Sequence, residues 1–293
     1  DLRRSRGLGD VYKRQNFMSI IKSTFENLEK VNSKALVTYT VAGDPNLDTS
    51  EKIISEIVSS GADIIEIGVP FSDPMSEGPV IQMAHERSLI NKTSLTDILS
   101  LSKKLKKKFK TTPIVLMGYF NTFINSLNST KSNHDINEDI CSELKKNGVD
   151  GLIIVDLPYE ESEAIFKKLS KFEIDLIRLI SPTTNDLRIN EIISNSSGFL
   201  YYVSLKGITG ANIDSYDELK KRVHKIKNSS NIPVVVGFGI KDQETASDMS
   251  SFADGVVVGS AIVDMIGDFE KEEHKVILNK ISKFVGDIKS SIQ

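Results

Sequence analysis

Short apolar runs recur along the chain, separated by stretches in which apolar residues return every three or four positions. The runs "ALVTYTVA" (35–42), "DIIEIGV" (63–69), "PIVLMGY" (113–119), "GLIIVD" (151–156), "IDLIRLI" (174–180), "GFLYYVS" (198–204), "PVVVGF" (233–238) and "GVVVG" (255–259) are almost continuously hydrophobic. That is the pattern of parallel strands buried on both faces. Between them, stretches such as "SEKIISEIVSSG" and "EESEAIFKKLSKF" carry helical spacing and cap-like starts. Eight strand candidates, each followed by a helix, predict an α/β fold: a single-domain (β/α)8 TIM barrel with an extra N-terminal helix. A doubly wound open sheet is the other arrangement this alternation allows.

Two segments break the rhythm. Residues 121–139, "NTFINSLNSTKSNHDINED", read as one long polar connection, either a functional flap or a tolerated insertion, and their Ser/Asn content favours the insertion. The run "KKLKKKFK" (103–110) falls on a predicted helix before the third strand and reads as its solvated outer face. The barrel domain is expected to span 18–293. Residues 1–17, "DLRRSRGLGDVYKRQNF", are expected to be a non-native or disordered leader: the paired arginine is followed by no apolar segment, and "DVYKRQ" resembles the read-through of a transposon end.

Composition narrows the function classes. A net charge of −3 gives no basic footprint for nucleic acid, and the single cysteine, Cys141, excludes an intrachain disulfide and a multi-cysteine metal site. No apolar run reaches the roughly 18–20 residues of a membrane span, so a cytoplasmic location is expected.

The candidate chemistry gathers at the C-terminal strand ends, where barrels of this kind carry their sites. Asp44 follows the first strand, Asp73 and Glu77 lie after the second, and Asp156 closes the fourth; a cap, a turn or an ion pair would explain any one of these. Glu66 differs, because Ile64, Ile65, Ile67 and Val69 flank it within a strand. A carboxylate among such residues is desolvated, its pKa rises, and it can exchange a proton near neutrality. Glycine-centred loops "GITGA" (207–211), "GFGI" (237–240) and "GSAIV" (259–263) end strands six to eight. With a short helix starting at Ser260, they suit a phosphate group. No Walker-type lysine loop is present.

The motifs "TVAGDP", "EIGVPFSDP…GPVIQ", "VDGLIIVDLP", "YYVSLKGITGA", "GFGI" and "VGSAIV" occur in an order and spacing that resemble the tryptophan synthase alpha chain family, from about Ser19 to Gln293. The resemblance implies a lyase that splits indole-3-glycerol phosphate into indole and glyceraldehyde 3-phosphate in L-tryptophan biosynthesis. It also implies a beta-chain partner in an alpha2-beta2 tetramer, with pyridoxal phosphate in the beta chain and no cofactor in this one. Glu66 matches the family's catalytic glutamate. Glu77 stands where the family has an aspartate, so the charge is kept on a side chain longer by one methylene. Tyr39, Ile81, Met117, Ile153, Asp156, Tyr201 and Phe238 match the substrate enclosure, with Ile153 and Met117 reading equally well as barrel core. Thr209, Gly210, Gly239, Gly259 and Ser260 match the phosphate cradle, and Asp73 and Pro74 the partner interface. The Glu77 departure leaves a second reading: a catalytically weak alpha-type barrel acting mainly as binding and activating partner of the beta chain.

Overall fold

The structure, a computed structural model, describes residues 19–127, 135–203, 213–237, 239–269 and 271–293. The expectation for residues 1–17, like Thr209, Gly210 and Phe238, lies outside them.

The strands among the described residues are β1 (Ala35–Val41), β2 (Ile64–Gly68), β3 (Ile114–Gly118), β4 (Gly151–Ile154), β5 (Asp175–Leu176), β6 (Arg178–Ile180), β7 (Leu200–Val203), β8 (Val234–Gly237) and β9 (Gly255–Val258). They pair in the order β5-β4-β3-β2-β1-β9-β8-β7-β6, and every pairing is parallel. The two ends of this sheet, β5 and β6, are halves of the predicted fifth strand, joined at Ile177, whose N–H donates to Leu152 O of β4 at 2.9 Å. The ring is therefore the predicted eight-stranded barrel with one strand interrupted, and the open-sheet alternative is excluded.

Alternation along each strand sorts residues into two layers. Val37, Ile64, Val115, Ile153, Ile177, Phe199, Val235 and Val257 face inward, while Leu36, Ile65, Ile67, Leu116 and Leu152 pack outward under the helices. The predicted extra helix, Ile20–Lys30, is capped by Ser19 Oγ accepting from Lys22 N–H at 3.1 Å. It drives Ile21 and Phe25 into the interior cluster, with the Phe25 and Phe199 rings 6.0 Å apart. One end of the barrel is thereby plugged, leaving the other for chemistry.

The plugged end is also tied electrostatically. Asp63, Asp150 and Asp254 accept the backbone N–H groups of Leu36 (2.7 Å), Ile114 (2.9 Å) and Val234 (2.9 Å) at the starts of neighbouring strands. Each is paired with a helix lysine: Lys289 at 2.8 Å, Lys106 at 2.7 Å and Lys227 at 2.6 Å. These ties hold register between adjacent strands. Lys106 belongs to the predicted polar face of 103–110, so that face is not wholly solvated.

The 121–139 expectation needs correction. Its first part is helical, Phe120–Leu127, with Phe123 and Ile124 buried in the outer core. Apolar positions 120, 123, 124 and 127 carry helical spacing that the Ser/Asn content masked. Residues 128–134 lie outside the described set, and a second helix, Glu138–Lys146, starts after the Asn137 cap. Among the described residues no helix is long and apolar enough to cross a membrane.

Candidate active site at the open barrel mouth

Ile64, Glu66 and Gly68 share the inward face of β2, so Glu66 points into the barrel. It is fully buried, and among the described residues neither carboxylate oxygen has a hydrogen-bond partner. Burial, and then the charge of Glu77, push its carboxyl up to about 8. A buried carboxylate without donors is costly, and the protonated form is the cheaper state at neutral pH.

Glu77 reaches the same space from the loop after β2. It is half-buried, and burial pushes it up to about 7. The loop that carries it is pinned at several points. Phe71 N–H donates to His85 Nδ1 (3.0 Å), Ser76 N–H to Tyr119 Oη (3.0 Å) and Glu77 N–H to Pro74 O (3.0 Å). The Phe71 ring stacks on Tyr119 at 4.8 Å, and Gln82 Nε2 donates to Glu77 O at 2.8 Å. The loop's outer tip behaves differently: Asp73 and Met75 are exposed and Pro74 is half-buried. One short loop thus offers a carboxylate inward and an exposed tip outward.

Two tyrosines complete the wall, each resting on a glycine. A Cβ on Gly68 would meet Tyr39 Oη at 2.3 Å, and one on Gly237 would meet the Tyr201 ring at 2.3 Å. Glycine is required at both positions because the rings occupy the space of a side chain. Both phenols are kept neutral by burial; the strongest charge on Tyr39 is Glu77, and on Tyr201 it is Glu66. Met117 and Ile81 are half-buried beside Tyr39, whereas Ile153 is sealed in the interior cluster.

At the far side of the mouth, a Cβ on Gly259 would lie 3.3 Å from Tyr39 Cβ. Gly259 caps the short helix Ser260–Ile266 without a side-chain bond, and Ser260 is exposed. Gly239 is also exposed, at φ +46° with none of the described residues within 4 Å of where its Cβ would be. Two surface hollows of about 550 and 570 Å3 lie elsewhere, one lined by Tyr216, Lys241 and Asp248 and one by Arg87, Asn91 and His274. Neither contains a desolvated carboxylate like Glu66, so the mouth is the better candidate.

Two strand-end acids turn out to have structural duties. Asp44 is buried and held by Arg87 through two hydrogen bonds of 2.7 and 2.8 Å. Asp156 is exposed and accepts the N–H of Phe120 at 2.7 Å, anchoring the start of the Phe120–Leu127 helix. Arg87→Ala, which leaves Asp44 buried without its guanidinium, is expected to cost roughly 3 kcal/mol in urea unfolding. Sequence reasoning missed His85, Tyr119 and Phe71. The available signal was weak: His85 lies four residues after Ile81 on the inward face of the helix Pro79–Ile90.

The family model described as "Tryptophan synthase alpha chain" matches residues 25–293. This chain belongs to the tryptophan synthase alpha chain family. A tryptophan synthase alpha chain from Geotalea uraniireducens is 42% identical over 277 residues, covering 94% of this chain and 98% of that protein. One from Acinetobacter baumannii is 43% identical over 256 residues, covering 87% and 92%. Among solved structures, tryptophan synthase subunit alpha from Legionella pneumophila superposes with a TM-score of 0.83 at 36% identity, covering 94% of this chain and 98% of that one. A chain of the aminoacrylate-bound tryptophan synthase from M. tuberculosis gives 0.80 at 27% identity, covering 94% and 100%. The alpha chains of this family need no cofactor of their own; pyridoxal phosphate belongs to the beta chain.

Proposed function

We propose that the open barrel mouth is where this alpha chain cleaves indole-3-glycerol phosphate to indole and glyceraldehyde 3-phosphate, with Glu66 and Glu77 as its acid–base pair. The observation that carries this reading is Glu66, fully buried, unpartnered among the described residues and raised to about 8 beside a second carboxylate. Protonated at neutral pH, Glu66 delivers its proton to the indole ring carbon bearing the glycerol chain. The resulting carboxylate takes the proton of the adjacent hydroxyl as the carbon–carbon bond breaks, so an aldehyde leaves and Glu66 recovers its proton. Glu77 accepts the indole N–H and offsets the positive charge on the ring. Tyr39, Tyr201, Met117 and Ile81 enclose the indole, with Ile153 beneath them and Asp156 at the rim. Gly239, Gly259 and Ser260 supply the described part of the phosphate cradle.

The family works with a beta chain, and the exposed Asp73–Met75 tip is the surface we assign to it. That tip is one hydrogen bond, Glu77 N–H to Pro74 O, away from the inward carboxylate. A cytoplasmic location suits this biosynthetic role.

The test is indole release from indole-3-glycerol phosphate by residues 18–293, with and without a matched beta chain. Wild type is expected to turn over and to be accelerated by the partner, while Glu77→Ala loses about a hundredfold in kcat. If wild type is silent even with its partner and Glu77→Asp restores activity, the barrel is a binding and activating subunit instead.

A further inference from the structure

His85 is a buried titratable group that this mechanism leaves unused. It lies in the helix Pro79–Ile90, 3% exposed, between the Glu77 loop and Tyr39. The bond from Phe71 N–H determines its tautomer: a backbone amide can only donate, so Nδ1 is an acceptor and carries no proton. The ring proton of the neutral imidazole is then on Nε2, which lies 3.4 Å from Tyr39 Oη. With Nε2–H as the donor in that contact, the phenol keeps its own hydrogen for another acceptor. The carboxylate whose charge acts most strongly on the phenol is Glu77.

We propose that His85 is a positioning residue for the cleavage reaction: its Nδ1 anchors the loop bearing Glu77, and its Nε2–H holds the Tyr39 hydroxyl in the wall of the mouth. This rests on the role of the mouth given above. Burial holds the imidazole at about 4, so it stays neutral where the enzyme works. The 3.4 Å contact is long for a hydrogen bond, as catalytic contacts often are before substrate arrives.

The two ends of the imidazole can be separated by substitution. His85→Asn keeps an acceptor near the Nδ1 position but is too short to reach Tyr39. Tyr39→Phe removes only the hydroxyl, and His85→Leu removes both links. Expected in indole release are a kcat loss of about a hundredfold for His85→Leu and about tenfold for both His85→Asn and Tyr39→Phe, with KM changed less than threefold. The double variant His85→Asn/Tyr39→Phe should be no slower than either single one, because both cut the same link. A wild-type level of activity in His85→Asn and Tyr39→Phe, or losses that multiply in the double variant, would overturn the proposal. If His85→Leu fails to fold, those three variants still decide it.

A readout independent of activity is the 15N spectrum of histidine-labelled protein at neutral pH. The chain has only four histidines, and His85→Asn assigns the resonance. A neutral Nε2–H tautomer is expected, and an Nδ1–H tautomer overturns the proposal. Absence of indole release from wild type together with the Nε2–H tautomer would instead count against the reading of the mouth.

Discussion

Glu66→Gln is expected to lower kcat for indole release by about a thousandfold while leaving KM within a few-fold. Glutamine keeps the size and the inward position but has no carboxyl proton to give and no carboxylate to receive one. The loss is expected in the chemical step because both Glu66 oxygens are unpartnered among the described residues, so the substitution breaks no hydrogen bond seen there. Single-turnover measurement of indole formation separates that step from product release. A variant keeping more than a tenth of wild-type kcat would remove Glu66 from the proton-transfer role.

The same substitution is expected to stabilise the protein at alkaline pH. Glu66 is raised from 4.5 to about 8 in the folded chain, chiefly by burial and then by Glu77. Between those values the folded state holds a proton that the unfolded state has released. Its contribution to stability therefore falls as pH rises through that window and levels off above about 8. Glutamine has no such dependence. The unfolding free energy of Glu66→Gln minus that of wild type should grow by on the order of 3 kcal/mol from pH 5 to pH 8. Shifts shared by both proteins, including the lowered His85, cancel in this difference. Urea denaturation at several pH values measures it. A difference that stays flat with pH would mean that Glu66 is not held protonated by burial.

Much of this architecture is local in origin. The strand runs contain enough apolar length to be buried on both faces, and each appears within a residue or two of its expected place. The fifth breaks at Ile177 but still closes the ring. The helix Phe120–Leu127 was hidden because its apolar spacing lies within a Ser/Asn-rich stretch. Asp44 could not be separated from the other strand-end acids, since its partner Arg87 lies 43 residues away and meets it only after the helix Pro79–Ile90 packs. The placement of Asp156 under the Phe120 amide was hidden for the same reason.

The contrast is sharpest within the candidate site. Strand alternation alone sends Glu66 inward among isoleucines, and a carboxylate in that setting must be desolvated; sequence is sufficient for that because period-two geometry and burial are properties of one short segment. The surroundings of Glu66 are another matter. Glu77, Tyr39, Tyr201 and His85 come from a loop, two strands and a helix, and the charge each feels depends on distances that exist only when the barrel closes. The His85 tautomer is the clearest case, since it depends on where the Phe71 amide lands after a fourteen-residue excursion of the chain. Local pattern determined the fold and the buried carboxylate of Glu66, and tertiary packing decided what surrounds that carboxylate, because electrostatics and hydrogen bonding act through space.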